Sequence, residues 1–160
     1  MERNSSFSNF IIAAGVILGV SYPVLAISTG FRAVFQVFEG DPTNSPWLTV
    51  LAALCYTVAT VGFVKQPREG KEPKERTSAI GRWWQSISPQ QAWRISAYVL
   101  VFETAMTLIV GTLSFVAPEL VGRNVWQFFG RDYGYFPLIQ PLLGILWLFN
   151  PVTRRNYGLM

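Results

Sequence analysis

One ionisable side chain, Glu103, lies deep inside a long apolar stretch of this 160-residue sequence. Residues 99–111 read VLVFETAMTLIVG, which is typical of the middle of a membrane span. A charged residue at the centre of a span costs at least about 2.5 to 3.5 kcal/mol on insertion scales. Glu103 therefore marks either a specific structural contact or a functional site.

Further polar residues follow the same helical face as Glu103. At about 100 degrees per residue, Ser96, Thr107 and Ser114 fall within about 40 degrees of the Glu103 direction. Because facing lipid is the costliest arrangement, the stripe must face a bundle interior, a partner subunit or a wet cavity. The fourth apolar segment adds a single amide at this depth. The candidate intramembrane polar site therefore consists of Glu103, Thr107, Ser96, Ser114 and Gln140.

Three interpretations of Glu103 follow, and the structural one is favoured from sequence alone. In it, burial keeps the carboxyl neutral, and hydrogen bonds to Gln140, Thr57, Thr60 or a backbone carbonyl fix the helix packing. In the functional interpretation, Glu103 is a proton or cation site inside a small channel or carrier. The third interpretation is a contact to another protein, or to a bound lipid, quinone or pigment.

Ordinary catalytic chemistry is absent from the sequence. There is no histidine, which removes imidazole-ligated metals and haem and any Ser-His-Asp triad. Cys55 is the single cysteine, so one chain cannot supply a thiolate cage for zinc or iron–sulfur. No glycine-rich phosphate loop occurs. We therefore expect no enzyme activity, no bound metal and no cofactor.

The elements that would position Glu103 are long apolar segments. Hydrophobic residues make up 51% of the chain and charged residues only 14%, whereas soluble domains carry roughly a quarter charged residues. The apolar stretches cover residues 10–29, 47–64, 95–116 and 133–149, and the last is marginal in length. We predict an all-α integral membrane protein, a single domain over residues 1–160 with a bundle of four transmembrane helices.

The outer loops are predicted to hold short interfacial helices. Phe31, Val34, Phe35 and Phe38 recur at helical spacing and form an apolar face. This face either prolongs the first span or lies in the membrane interface. In the second outer loop, Pro118 opens another short helix.

Basic residues predict the orientation of the spans. Of the 13 Lys and Arg residues, ten lie in the middle loop, 65–94, or near the two termini. These ten are Arg3, Lys65, Arg68, Lys71, Lys74, Arg76, Arg82, Arg94, Arg154 and Arg155. The positive-inside rule then makes the loop and both termini of this multi-pass chain cytoplasmic. Despite the net charge of +4, we expect contact with membrane lipids and no nucleic-acid role.

Small residues indicate where helices pack against each other. Gly15 and Gly19 are four residues apart in the first span, and Ala52, Ala59 and Gly62 share about one face of the second. Small side chains let backbones approach closely, either within one bundle or between subunits. We favour packing within the bundle for the two glycines of the first span.

Four tryptophans are candidate anchors for the membrane interface or for a partner protein. Trp83, Trp84 and Trp93 lie near the end of the middle loop, among arginines, and Trp126 lies in the second outer loop. Tryptophan is enriched both at membrane interfaces and at the centres of protein contacts. For the three tryptophans of the middle loop, the membrane-interface role is favoured.

The predicted function is that of a non-catalytic accessory or structural subunit of a larger membrane assembly, because the polar interior is thin. The alternative is a small homo-oligomeric channel or carrier built around Glu103, or a module that binds a lipid, quinone or pigment. The expected partners are membrane lipids, and other membrane subunits or further copies of the chain.

Overall fold

The computed structural model describes residues 2–65 and 78–160, except for the side chains of residues 2–8 and 80. Within these residues the chain is all-helical, as predicted, and has no β-strand. The α-helices there are α1 (Glu2–Glu39), α2 (Pro46–Val64), α3 (Ala79–Ser86), α4 (Pro89–Val116), α5 (Pro118–Val121), α6 (Phe136–Phe149) and α7 (Pro151–Asn156). A 3-10 segment, Gln127–Tyr133, precedes α6. Residues 66–77 of the predicted basic loop lie outside the described residues.

Three of these helices are long and apolar enough to cross a membrane, namely α1 from Asn9 onward, α2 and α4. α6 has 14 residues, or about 21 Å at 1.5 Å per residue, against a hydrocarbon core of about 30 Å. It starts later than the predicted residue 133 because Gly134 and Tyr135 have φ angles of 61° and 63°. Left-handed residues cannot continue a right-handed helix. The fourth predicted span is therefore shorter than expected.

α1 continues beyond the predicted end of the first span, at residue 29, as far as Glu39. The predicted amphipathic segment therefore prolongs α1, and its three phenylalanines are exposed. Near the end of the helix, Gln36 is buried and donates its Nε2 to the Arg123 carbonyl at 2.9 Å. We call this end of the bundle, with the α1–α2 connection and the 3-10 segment, the outer end, and the opposite end the inner end.

α4 begins at Pro89, six residues before the predicted start at residue 95. Ser88 and Gln91 form a capping box. The Gln91 N–H donates to Ser88 Oγ at 3.1 Å, and the Ser88 N–H donates to Gln91 Oε1 at 2.8 Å. Pro89 suits the first helical position because it lacks the N–H that would be unpaired there. α4 therefore extends further towards the inner end than predicted, and it includes Arg94.

Aromatic side chains fill the inner half of the bundle. Tyr22 of α1 stacks on Phe63 of α2 with ring centroids 4.9 Å apart, and Phe63 lies 5.3 Å from Trp147 of α6. Trp147 meets the Tyr157 ring edge-on at 6.3 Å and donates its Nε1 to the Ile11 carbonyl at 2.8 Å. We call Tyr22, Phe63, Trp147 and Tyr157 the aromatic cluster. It connects α1, α2, α6 and the end of α7.

Two glycines of α1 offer a test of this packing. A Cβ at Gly15 would collide with the Trp147 ring, whereas a Cβ at Gly19 would meet Phe63 at 3.7 Å, an ordinary contact distance. Because overpacking costs about 1–3 kcal/mol, we expect Gly15→Ala to lower the melting temperature in detergent by several degrees. Gly19→Ala is the control and should leave it unchanged or slightly higher, since Ala favours helices. Equal melting temperatures would contradict this placement of Trp147.

Candidate functional site

The α4 stripe lies in the bundle interior: Ser96, Glu103 and Thr107 are 0% exposed and Ser114 is 2% exposed. Its three hydroxyl groups bond to backbone. Ser96 donates to an α2 carbonyl at 3.0 Å, and Thr107 to carbonyls of Glu103 and Pro137 at 2.9 and 3.1 Å. Ser114 donates within α4 at 2.7 Å and accepts an amide N–H from the 3-10 segment at 3.2 Å. These bonds hold α4 against α2, α6 and the 3-10 segment.

Glu103 differs from its neighbours in the stripe. Neither Oε1 nor Oε2 has a hydrogen-bond partner among the described residues, although the side chain is fully enclosed. Buried polar groups in proteins are nearly always paired, and an unpaired one costs about 1–3 kcal/mol, more if charged. No hydrogen bond from this carboxyl therefore stabilises the helix packing in the described part of the chain.

The hydrogen-bond partners predicted for Glu103 bind elsewhere. Gln140 donates its Nε2 to Ser21 Oγ at 2.8 Å. Thr57 and Thr60 donate to carbonyls of their own helix, each at 2.8 Å. The structural interpretation favoured from sequence required one of these bonds or a bond to a backbone carbonyl. Neither kind is present among the described residues, so the geometry does not support it.

Polar groups from three other helices surround Glu103. The Tyr56 hydroxyl lies close to the Glu103 carboxyl, although the two groups do not meet the geometry of a hydrogen bond. The Tyr22 hydroxyl lies within electrostatic reach of Glu103. Like Gln140 Oε1, it is buried and has no hydrogen-bond partner among the described residues. α4 and α6 run antiparallel, and the Thr107–Pro137 bond is one turn further out than Glu103 and Gln140. Glu103 and Gln140 therefore lie at about the same depth in the bundle.

Two more residues extend this group towards the outer end. Tyr133, at the end of the 3-10 segment, lies within electrostatic reach of Tyr56. The Arg32 guanidinium lies 5.3 Å from the centre of the Tyr133 ring. The Tyr133 hydroxyl and Arg32 Nε are buried and have no hydrogen-bond partner among the described residues. We call Glu103, Tyr56, Tyr133 and Arg32 the polar column.

The backbone of the 3-10 segment positions Tyr133. Phe128 and Phe129 are left-handed, with φ of 50° and 61°, a conformation that is rare for bulky residues. Phe129 packs directly on Gly111 of α4, where a Cβ would collide with the ring. Such strained positions persist only where the surrounding structure holds them. Here the two left-handed residues direct the 3-10 segment towards the interior of the bundle.

The inner side of Glu103 is apolar by comparison. Leu100, one turn further in on α4, and Leu148 are both fully buried. A Cβ at Gly144 of α6 would lie 2.9 Å from Leu100, so these helices are in close contact there. Together with the aromatic cluster, these residues separate Glu103 from the inner end.

The small residues predicted to pack do lie at helix contacts. Ala52 and Ala59 are fully buried, and Gly62 lies directly against Ser96 of α4. The Gly62 carbonyl also accepts the Tyr157 hydroxyl at 2.6 Å. Burial raises the pKa of Tyr157, so the hydroxyl stays protonated and can donate this bond at neutral pH.

The four predicted anchor tryptophans have different environments. Trp83 is 60% exposed, and the Trp84 ring lies 5.1 Å from Lys65 Nζ. Trp93 donates its Nε1 to the Leu148 carbonyl at 2.9 Å. Trp126 differs from the expectation, because its side chain is 0% exposed inside the outer end. A partner protein could therefore reach Trp83 but not Trp126.

Four residues of this region were not identified from the sequence: Tyr22, Tyr56, Tyr133 and Arg32. The available signal was a tyrosine inside each of the first two apolar segments, a tyrosine at the start of the fourth, and an arginine just after the first. Periodicity assigns a residue to one face of its own helix, and it does not say which faces meet. The grouping is therefore visible only in the fold.

The comparisons with known proteins add no assignment to this group of residues. No protein-family model, curated protein or solved structure matches the chain.

Proposed function

We propose that this chain is a non-enzymatic, multi-pass membrane protein that transfers protons through Glu103. The observation that supports it is the enclosed carboxyl with both oxygens unpaired in the described structure. Intramembrane carboxyls are costly to insert, and those without a structural role mark proton or ion pathways. A small homo-oligomeric channel or carrier built around Glu103 was the alternative in the sequence prediction. It now leads because the predicted structural bonds to Glu103 are not made within the described part of the chain.

A proton fits the site better than a metal or alkali cation does. Glu103 is 0% exposed, and a proton needs no cavity, whereas a cation needs several oxygen ligands around it. The described residues contain no group of three or more acidic, histidine or cysteine side chains that could hold a metal ion. The protonated carboxyl is also neutral, which lowers the cost of burial.

The polar column supplies the route between Glu103 and the outer end. Phenol hydroxyls both donate and accept hydrogen bonds, so Tyr56 and Tyr133 can pass a proton by small rotations or through a bridging water. Towards the inner end, the aromatic cluster closes the path. Complete transfer then requires the rings of Phe63 and Trp147 to separate, which favours a carrier over an open pore.

The test of this function is proton uptake by liposomes. The purified chain is reconstituted around a trapped pH dye, and a potassium diffusion potential, negative inside, is applied. We expect faster acidification than in protein-free liposomes, with no matching flux of sodium. Acidification no faster than in the protein-free liposomes, with folded protein present, would reject the proposal. A sodium flux without proton flux would replace the proton by a cation.

The proposed orientation places the inner end in the cytoplasm. Of the described basic side chains, Lys65, Arg82, Arg94, Arg154 and Arg155 lie near the inner end, against Arg32, Arg123 and Arg131 at the outer end. This bias has the direction that the positive-inside rule gives for a cytoplasmic inner face. The acidic residues Glu39, Asp41, Glu119 and Asp132 lie at the outer end.

Cysteine labelling checks this orientation. Ala79 is exposed and makes no cap, unlike Ser78, which accepts the Gly81 N–H. In a Cys55→Ala background, we expect Ala79→Cys to react with an impermeant maleimide only after intact cells are opened. Glu119→Cys, at the outer end, is the matched control and should react in intact cells. The reverse pattern would invert the orientation.

The accessory subunit predicted from sequence is a second candidate, and one surface favours it. A shallow apolar groove of about 310 Å³ lies between α1 and α2, with Ala26, Gly30 and Ala53 in its wall. Small residues of this kind let a further helix approach closely. Mass spectrometry of chains that co-purify in gentle detergent separates the candidates. Loss of a stoichiometric partner on Gly30→Leu would support a subunit role.

A further inference from the structure

A second polar site lies at the inner end, away from Glu103. A cleft of about 450 Å³ opens where α3 meets α4 and is lined by Trp83, Ser86, Ile87, Gln91, Arg94 and Ile95. None of these residues is acidic. The two isoleucines and the tryptophan ring form apolar walls beside a single guanidinium.

Free hydrogen-bond donors outnumber free acceptors in this cleft. Gln91 Oε1 is occupied by the Ser88 N–H of the capping box, so the Gln91 amide keeps two N–H donors. Arg94 adds five donors. Among the described residues the only ion pair joins Arg131 and Asp132, at the outer end, so Arg94 has no carboxylate partner there.

The position of Arg94 along α4 matches a membrane boundary. It directly precedes Ile95, where the long apolar run of α4 begins. If α4 spans the membrane from Ile95, a guanidinium at this level would lie beside headgroup phosphates and Ile95 beside the first acyl carbons. Tryptophan, here Trp83, is the residue type enriched at the same level. A free anion would satisfy Arg94 but would leave the apolar walls uncovered, whereas a phospholipid satisfies both.

We propose that this cleft binds the phosphate of an anionic phospholipid of the inner leaflet. The Arg94 guanidinium pairs with the phosphate, the Gln91 amide donates to the headgroup, and the acyl chains cover Ile87 and Ile95. A phosphatidylglycerol-type lipid, with a net negative charge, is preferred over a zwitterionic one. The site does not depend on Glu103 or on proton transfer.

Native mass spectrometry of the purified chain tests the site. The protein in mild detergent is titrated with phosphatidylglycerol or phosphatidylcholine, and the lipid-bound fraction is measured. We expect phosphatidylglycerol to bind more tightly, and Arg94→Gln to weaken it about fivefold, the effect of one basic residue near a membrane surface. Arg82→Gln is the matched control, because Arg82 is exposed on α3 and does not line the cleft. It should change binding by less than about twofold.

Each remaining outcome overturns the proposal. Equal weakening by the two substitutions means that the lipid responds to diffuse surface charge. Equal binding of both lipids to the unmodified protein removes the headgroup preference. Displacement of phosphatidylglycerol by millimolar inorganic phosphate makes the cleft a site for free anions. If Arg94→Gln does not fold, Arg94→Lys keeps the charge but not the planar fork. It should still prefer phosphatidylglycerol, and loss of that preference would also contradict the site.

Discussion

Glu103→Gln is expected to reduce proton flux in liposomes to the protein-free level while the melting temperature stays within a few degrees. The amide has nearly the shape of the neutral acid, but it cannot bind and release a proton in this pH range. Glu103→Leu should remove the flux as well. It should not lower stability, because no described hydrogen-bond partner of the carboxyl is left unpaired and removing an unpaired polar group is close to neutral or stabilising.

The matched control for this prediction is Glu119→Gln. Glu119 is exposed on α5 at the outer end, so the same chemical change there should leave both flux and melting temperature unaltered. A structural role for Glu103 gives the opposite pattern. Gln would then be tolerated, and Leu would cost about 1–3 kcal/mol for each partner that it leaves unpaired.

Trp147→Ala is expected to cause the largest loss of stability, about 3–5 kcal/mol, the usual range for truncating a buried tryptophan. Its ring contacts Phe63 and Tyr157 and covers Gly15. The substitution also leaves the Ile11 carbonyl without the indole N–H donor. The loss is measured by thermal or denaturant unfolding in detergent.

Trp47→Ala is the comparison for this variant, because Trp47 is 80% exposed at the start of α2. Truncating it should change stability by no more than about 0.5 kcal/mol. If the two variants lost similar amounts, Trp147 would not be a central packing residue, and the closure of the inner path by the aromatic cluster would lose its support.

The sequence predicted the helical class and the direction of the α4 stripe, since both follow from patterns within one helix. Repetition at about 100 degrees per residue places Ser96, Glu103, Thr107 and Ser114 together whatever packs against them. It could not predict that Gln140 would bind Ser21 instead of Glu103. That choice depends on how α1, α4 and α6 meet, which no single-helix pattern contains.

Helix ends were predicted less well than helix faces, for two physical reasons. Apolar content alone put the start of α4 at residue 95, although Ser88 and Gln91 have the spacing of a capping box. At α6, the apolar run continues through Tyr133 and Tyr135, but the left-handed conformation of Gly134 and Tyr135 breaks the helix. Backbone conformation of this kind is imposed by the surrounding packing, so composition does not reveal it.

In a bilayer, the unequal lengths of α1 and α2 would make the chain sensitive to hydrophobic mismatch. The candidate span of α1, Asn9–Glu39, has 31 residues and that of α2 has 19, or about 46 Å and 28 Å at 1.5 Å per residue. α2 matches a hydrocarbon thickness of about 30 Å, whereas α1 still spans about 35 Å at a steep tilt of about 40°. Each ångström of mismatch costs a fraction of a kcal/mol, enough to sort proteins among membranes. With the proposed membrane insertion, bilayer thickness would thus set how far the Arg32 end of α1 stands above the lipid.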